Sequence, residues 1–103
     1  MRNLLSSVTT TSYPVLHLVF KDGFSGDLDL TDTIARGPLF EPLKSPDFFS
    51  NVKLDKYGYS FGWQLDEIGN EIDFSADGAR IDLETAFVQK MAENHRTKIQ
   101  AAE

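Results

Sequence analysis

The sequence predicts an α+β fold: a small antiparallel sheet of hairpins, a short connector helix and a C-terminal helix. Three observations lead there. Apolar residues alternate on both sides of an Asp-Gly pair in LHLVFKDGFSGDLDL, residues 16–30. Pro38, Pro42 and Pro46 punctuate a segment rich in Phe and Leu. Leu83, Phe87 and Met91 recur every four residues in a stretch that also carries Ala79, Ala86 and Ala92, which favour helix.

In chain order, residues 1–3 are expected to fray. Leu4 to Ser12 reads as a Thr- and Ser-rich strand centred on Val8 that stops before Tyr13-Pro14. Pro14 keeps Tyr13 extended and has no N–H for a ladder. Leu16, Leu18 and Phe20 then share one strand face, and Phe24, Gly26, Leu28 and Leu30 share another after the turn. A two-residue Asp22-Gly23 turn sets Phe20 against Ser25. The two apolar sets then lie on opposite faces, because a one-residue slip turns every side chain over. A three-residue loop of Lys21, Asp22 and Gly23 restores parity. Phe20 then faces Phe24, Leu18 faces Gly26 and Leu16 faces Leu28, with Gly23 in the left-handed position of a type I turn plus bulge. Phe20, Gly23 and Phe24 are therefore structural residues. On the outer face the same register pairs His17 with Asp27, a surface contact of little worth.

Thr31-Asp32 suits the cap of a helical turn. Leu39, Phe40 and Leu43 suit one further turn with Pro38 at its first position, and Pro42 and Pro46 forbid anything long. Phe48 and Phe49 follow, so this connector should plug one face or end of the sheet. Strands resume with Val52 and Leu54, then Tyr59, Phe61, Trp63 and Leu65. A turn at residues 55–58 places Leu54 opposite Tyr59. A second at Gly69-Asn70 places Leu65 opposite Phe74. Trp63 is assigned to the core.

From Ser75 two readings stand. In one, Asp77-Gly78 turns a hairpin with Phe74 opposite Ile81. In the other, which is favoured, Ser75 caps a helix with Asp77 in its first turn. The helical stripe continues from Leu83 through Phe87, Met91, His95 and Ile99. Its outer turns extend past the sheet, which makes Phe87, Met91, His95 and Ile99 the candidate interaction surface.

The chain of 103 residues predicts a single domain over 1–103, with a core over about 4–92 and ends that fray or self-associate. Net charge is −6, with acids concentrated at Asp66, Glu67, Glu71, Asp73, Asp77, Asp82 and Glu84, and Arg80 the lone base among them. Nucleic acid needs a clustered basic face, and none is visible. With no cysteine, disulfides, thiol catalysis and cysteine-ligated metals are excluded. That absence fits a cytoplasmic protein. No apolar run approaches a membrane span, and Met1 to Ser7 is too short an apolar stretch for a signal peptide.

His17 and His95 are far apart, and neither has a metal-ligand partner at helical spacing, so no metal or other cofactor is expected. Asp27 and Asp29 share one strand face. Paired carboxylates serve acid–base work or hold a hard cation, but more often keep a face wet. Trp63 and Tyr59 as a stacking face run against the net acidity.

The order of these segments resembles the bacterial domain of unknown function 2442 family. The resemblance lies in LHLVFKDGFSGDLDL, GPLFEPLKSPDFFSNVKLD, a Trp-bearing strand and EIDFSADGAR, over about residues 8–83. Trp63 is followed by Gln64 where members often carry Pro, and Gly78 stands where a larger residue is usual. The resemblance implies an α+β domain on an antiparallel sheet, with no catalytic residues to transfer. Small members are often encoded beside another short protein, which implies an antitoxin-like or adaptor role. Longer relatives append a helix-turn-helix domain. The expectation is a non-enzymatic protein–protein interaction module, with a neighbouring gene product as partner or a homodimer. The alternatives are a small-ligand binder or enzyme using the Asp27/Asp29 face, and a transcription-associated domain without its own DNA-binding part.

Overall fold

The structure is a computed structural model that describes residues 3–102, with side chains described as far as Glu93. Strands β1 (Leu5–Ser12), β2 (Val15–Phe20) and β3 (Ser25–Asp29) form an antiparallel sheet in the order β1-β2-β3. The β2–β3 register pairs Leu16 with Leu28, His17 with Asp27 and Leu18 with Gly26, as apolar parity requires. Phe20 N–H donates to the Phe24 carbonyl at 2.8 Å, and Gly23 N–H donates to the Phe20 carbonyl at 3.0 Å. Gly23 has φ +95°, where a side chain is strained. The loop is thus Lys21-Asp22-Gly23. β1 reaches β2 through Tyr13-Pro14, whose peptide bond is cis, and its ladder is irregular at both ends. The Tyr13 hydroxyl donates to the Leu43 carbonyl at 2.8 Å and its ring meets Phe49 edge-on, which fastens this turn to the connector.

The connector folds into three short helical pieces rather than the two turns expected. These are α1 (Thr31–Ile34), a 3₁₀ segment (Pro38–Lys44) and α2 (Pro46–Phe49). Asp29, not the expected Thr31-Asp32 pair, satisfies the start of α1: its carboxylate accepts from Thr31 N–H at 2.9 Å and from the Thr31 hydroxyl at 2.6 Å. Ser45 caps α2 by accepting from Phe48 N–H, and Pro46 occupies the first position. Leu43 and Phe49 are fully buried, while Leu39 points outward.

Strands β4 (Lys53–Leu54), β5 (Ser60–Trp63) and β6 (Ile72–Ser75) form a second antiparallel sheet in the order β4-β5-β6. Both expected registers are corrected here. Leu54 pairs with Phe61, not Tyr59, and Phe74 pairs with Phe61, not Leu65. In the first turn the Asp55 carboxylate accepts from Tyr57 and Tyr59 N–H groups, and Asp55 N–H donates to the Ser60 carbonyl, so the loop widens. In the second, Gln64 adopts φ +54° and ends β5, and two successive turns carry residues 64–70. Each slip is by an even number of residues, so the buried faces stay as expected.

Helix α3 (Ala76–Ala102) follows β6 directly. Ser75 Oγ accepts from Gly78 N–H at 2.9 Å, so the helix reading holds and the hairpin at Asp77-Gly78 does not form. Ala76, Ala79 and Leu83 face inward, with Leu83 lying over Gly26 of β3. One core joins both sheets, the connector and α3: Leu5, Leu16, Leu18, Phe20, Leu30, Ile34, Leu43, Phe49, Phe61, Trp63, Ile72, Ala76, Ala79 and Leu83. The sheets meet where Leu5 N–H donates to the Gly58 carbonyl at 2.9 Å. The α+β arrangement is as the sequence predicts, but with two small sheets in place of one. Among the described residues no helix is long and apolar enough to cross a membrane.

Candidate functional site

Two surface features stand out, and both belong to α3. The first is its outer length. The helix spans 27 residues, about 40 Å at a rise of roughly 1.5 Å per residue. Among the described residues Leu83 is its last inward side chain, and every residue from Glu84 to Glu93 is exposed. Phe87, Val88 and Met91 are 59%, 62% and 56% exposed, comparable with Ile81 at 64%. Large apolar side chains clustered on one stretch of helix mark an interaction surface more often than chance exposure does. Phe87 and Met91 are sequence-predicted members of this surface. Val88 joins them because the i, i+4 stripe drifts by about 40° per step at roughly 100° per residue, which an every-four reading overlooks. His95 and Ile99 are also predicted members. Their backbone lies in the helix, and their side chains lie outside the described residues.

At the root of α3, Arg80 anchors the helix to the β2–β3 loop. Its guanidinium lies 4.0 Å over the Phe24 ring and 5.0 Å over Phe20, whose own rings are 5.8 Å apart. Arg80 also pairs with Asp22 at 3.0 Å and with Glu84 at 3.1 Å. Asp22 in turn accepts from Phe24 N–H at 3.1 Å. That amide, and then the guanidinium, hold the Asp22 carboxyl below the usual carboxylate range. The sequence carries a clue to this role: Arg80 is the lone base in an acidic run.

The second feature is a groove of about 690 Å³ between α1 and the first turns of α3. Phe40, Phe61 and Phe74 line its base, with Phe74 stacked against both others. Asp29, Asp32 and Asp82 stand around it, with Arg36 the nearby base. Asp29 is committed to Thr31, whose hydroxyl and then amide hold its carboxyl low. Asp27 is outside the groove, paired with His17 at 2.8 Å on an exposed face. The structure therefore does not bring Asp27 and Asp29 together around a shared cavity. Among the described residues no three His, Asp or Glu side chains gather as metal ligands do.

Trp63 is 1% exposed, and its indole N–H donates to the Phe49 carbonyl at 2.8 Å. Its ring packs on Phe49 and edge-on to Phe74. Tyr59, weighed with it as a stacking face, is 42% exposed and sits beside Tyr57 instead. The two do not make one face.

Comparison of the chain with family models, with curated proteins and with solved structures gave no match in any of the three.

Proposed function

We propose that this chain is a non-enzymatic protein–protein interaction module that docks through the outer face of α3. We further propose that it acts in the cytoplasm as the adaptor or antitoxin-like half of a gene pair. The observation that carries the reading is the exposure of Phe87, Val88 and Met91 beyond Leu83, the last inward residue among those described. A helix without tertiary contacts is marginal in water, so this length of α3 favours a cover. Apolar anchors at helical spacing are the usual content of helix-in-groove recognition. The resemblance to the domain of unknown function 2442 family supports a partner encoded alongside. The test is purification of the tagged chain from its native host with the adjacent gene intact. The neighbour's product is expected with the wild type and absent with Phe87→Glu/Met91→Glu at an unchanged melting temperature. Recovery of the free chain alone in both cases overturns the reading.

A second reading has its own observation, the Phe-lined groove ringed by Asp29, Asp32 and Asp82. Its volume suits a small ligand, and its charge favours one with an apolar body and an ammonium group. Phenethylamine should raise the melting temperature in a dose-dependent way while phenylpropionate does not. An equal response to both, or none, counts against it.

A further inference from the structure

We infer that β1 is a dimer edge: a second copy of this chain lays its own β1 antiparallel against it, with Thr9 facing Thr9 across a two-fold axis. The outer face of α3 is left free, because α3 packs over β3, at the opposite edge of the same sheet.

β1 is the terminal strand of its sheet. In an antiparallel ladder the backbone groups of successive residues point alternately to one neighbour and to the other. Phe20 N–H donates to Phe24 on the β3 side and Lys21 N–H donates to the Leu4 carbonyl on the β1 side, so the odd-numbered residues of β2 bond β1. Their partners there are Ser7, Thr9 and Ser12. Leu5, Val8 and Thr10 therefore turn their N–H and C=O outward. Leu5 is covered, since its N–H donates to the Gly58 carbonyl. Val8 and Thr10 have no strand beyond them among the described residues.

This open edge carries neither the charge nor the proline that usually blunts one. From Asn3 to Phe20 there is no Asp, Glu, Lys or Arg, and no proline falls within β1. A net charge of −6 sets two copies against each other elsewhere, so an uncharged edge is where they can close. The edge is also self-complementary in one register. A two-fold axis at Thr9 sets Val8 of each copy opposite Thr10 of the other, and N–H meets C=O in both directions. Val8 and Thr10 share the side that carries Leu18 and Leu16, so parity keeps both cores on one face of a sheet doubled from three strands to six. An axis at Val8 would need Ser6 opposite Thr10, and one at Thr10 would need Ser12 opposite Val8. Both lie past the points where the ladder shifts, between Leu5 and Ser7 and between Thr10 and Ser12. The same reversal brings Leu5, with exposed Tyr57 next to its Gly58 cover, level with exposed Tyr13 of the other copy. Each end of the paired strands then gains aromatic surface.

Sedimentation equilibrium of the full chain across the micromolar range should show a monomer–dimer equilibrium. Thr9→Lys sets like charges opposite each other at the axis and should weaken the dimer by roughly tenfold or more. Its circular dichroism should be unchanged, since Thr9 is exposed in the single chain. Phe87→Glu/Met91→Glu should leave the dimer as it is. The chain has no cysteine, so an introduced thiol reports the register. With oxidised glutathione as electron acceptor, Thr9→Cys should form a disulfide-linked dimer. Ser7→Cys should not, because the two copies of position 7 lie four residues apart along the strands, about 13 Å. A chain that stays monomeric at every concentration overturns the inference. So does a dimer that Phe87→Glu/Met91→Glu dissolves and Thr9→Lys leaves intact, which places the contact on α3. Linking through Ser7→Cys in place of Thr9→Cys overturns the register.

Discussion

Arg80 stacks on Phe24 and Phe20 and pairs with Asp22 and Glu84, so one side chain ties the β2–β3 loop to α3. Its side chain is only 14% exposed, while its acidic partners are at least half exposed. Ring contact and the buried stem therefore outweigh the ion pairs. Arg80→Ala should lower stability by about 2 kcal/mol in urea unfolding, and Arg80→Lys should recover less than half, because an ammonium cannot stack as a plane. Asp22 adds a pH dependence. Its carboxyl is held below the ordinary 3.8 in the folded chain by the Phe24 amide and then by Arg80. The contribution is thus present above 3.8 and is lost as pH falls through the lowered value. Asp22→Asn should flatten the acid limb of stability against pH, leaving the slope that Asp29 supplies in the same sense. Gly62 is a different kind of constraint. A Cβ there would collide with the Ile72 carbonyl oxygen and the Asp73 backbone, where no flexible side-chain end can yield. Gly62→Ala should therefore cost several kcal/mol, on the order of 3 or more, read as a large drop in melting temperature.

At the scale of elements, the second sheet holds through the connector as much as through its ladder. Trp63 of β5 donates to the Phe49 carbonyl of α2, and the Tyr13 ring closes on Phe49 from the first sheet. Trp63 is the one tryptophan in the chain, so its emission reports this junction. It should be blue-shifted and resist acrylamide quenching in the native state. Red-shifted, readily quenched emission would mean that α2 does not seal the sheet. The β2–β3 hairpin was legible in advance because parity and the left-handed demand at Gly23 are local properties of a few neighbouring residues. The registers of β4, β5 and β6 were not. They depend on how far Asp55 draws in the Tyr57 and Tyr59 amides, and on where Gln64 turns out of the strand. Neither is encoded in alternation, which is indifferent to even slips.

At the scale of the molecule, the core is complete by Leu83, and α3 beyond it adds exposed surface among the described residues. A chain ending at Ala86 should keep its fold, with a melting temperature within a few degrees of the full chain in dilute solution. It should lose whatever docks on α3. A collapse of the near-UV circular dichroism on that truncation would place part of the core farther along the helix.

The stripe of Phe87 and Met91 could be found from spacing, since helical period and residue type are enough to place them on one side of a helix. Local periodicity likewise determined the α+β class, the first hairpin and the inward faces of both sheets, because each follows from periods of two or 3.6 residues along the local chain. What only the tertiary structure decided is where those faces find partners. Leu83 goes inside because Gly26 lies beneath it, and Phe87 stays outside because no sheet extends that far. The split into two sheets, the Arg80 anchor and the Phe-lined groove were settled the same way, by contacts between residues far apart in sequence, which no local period contains.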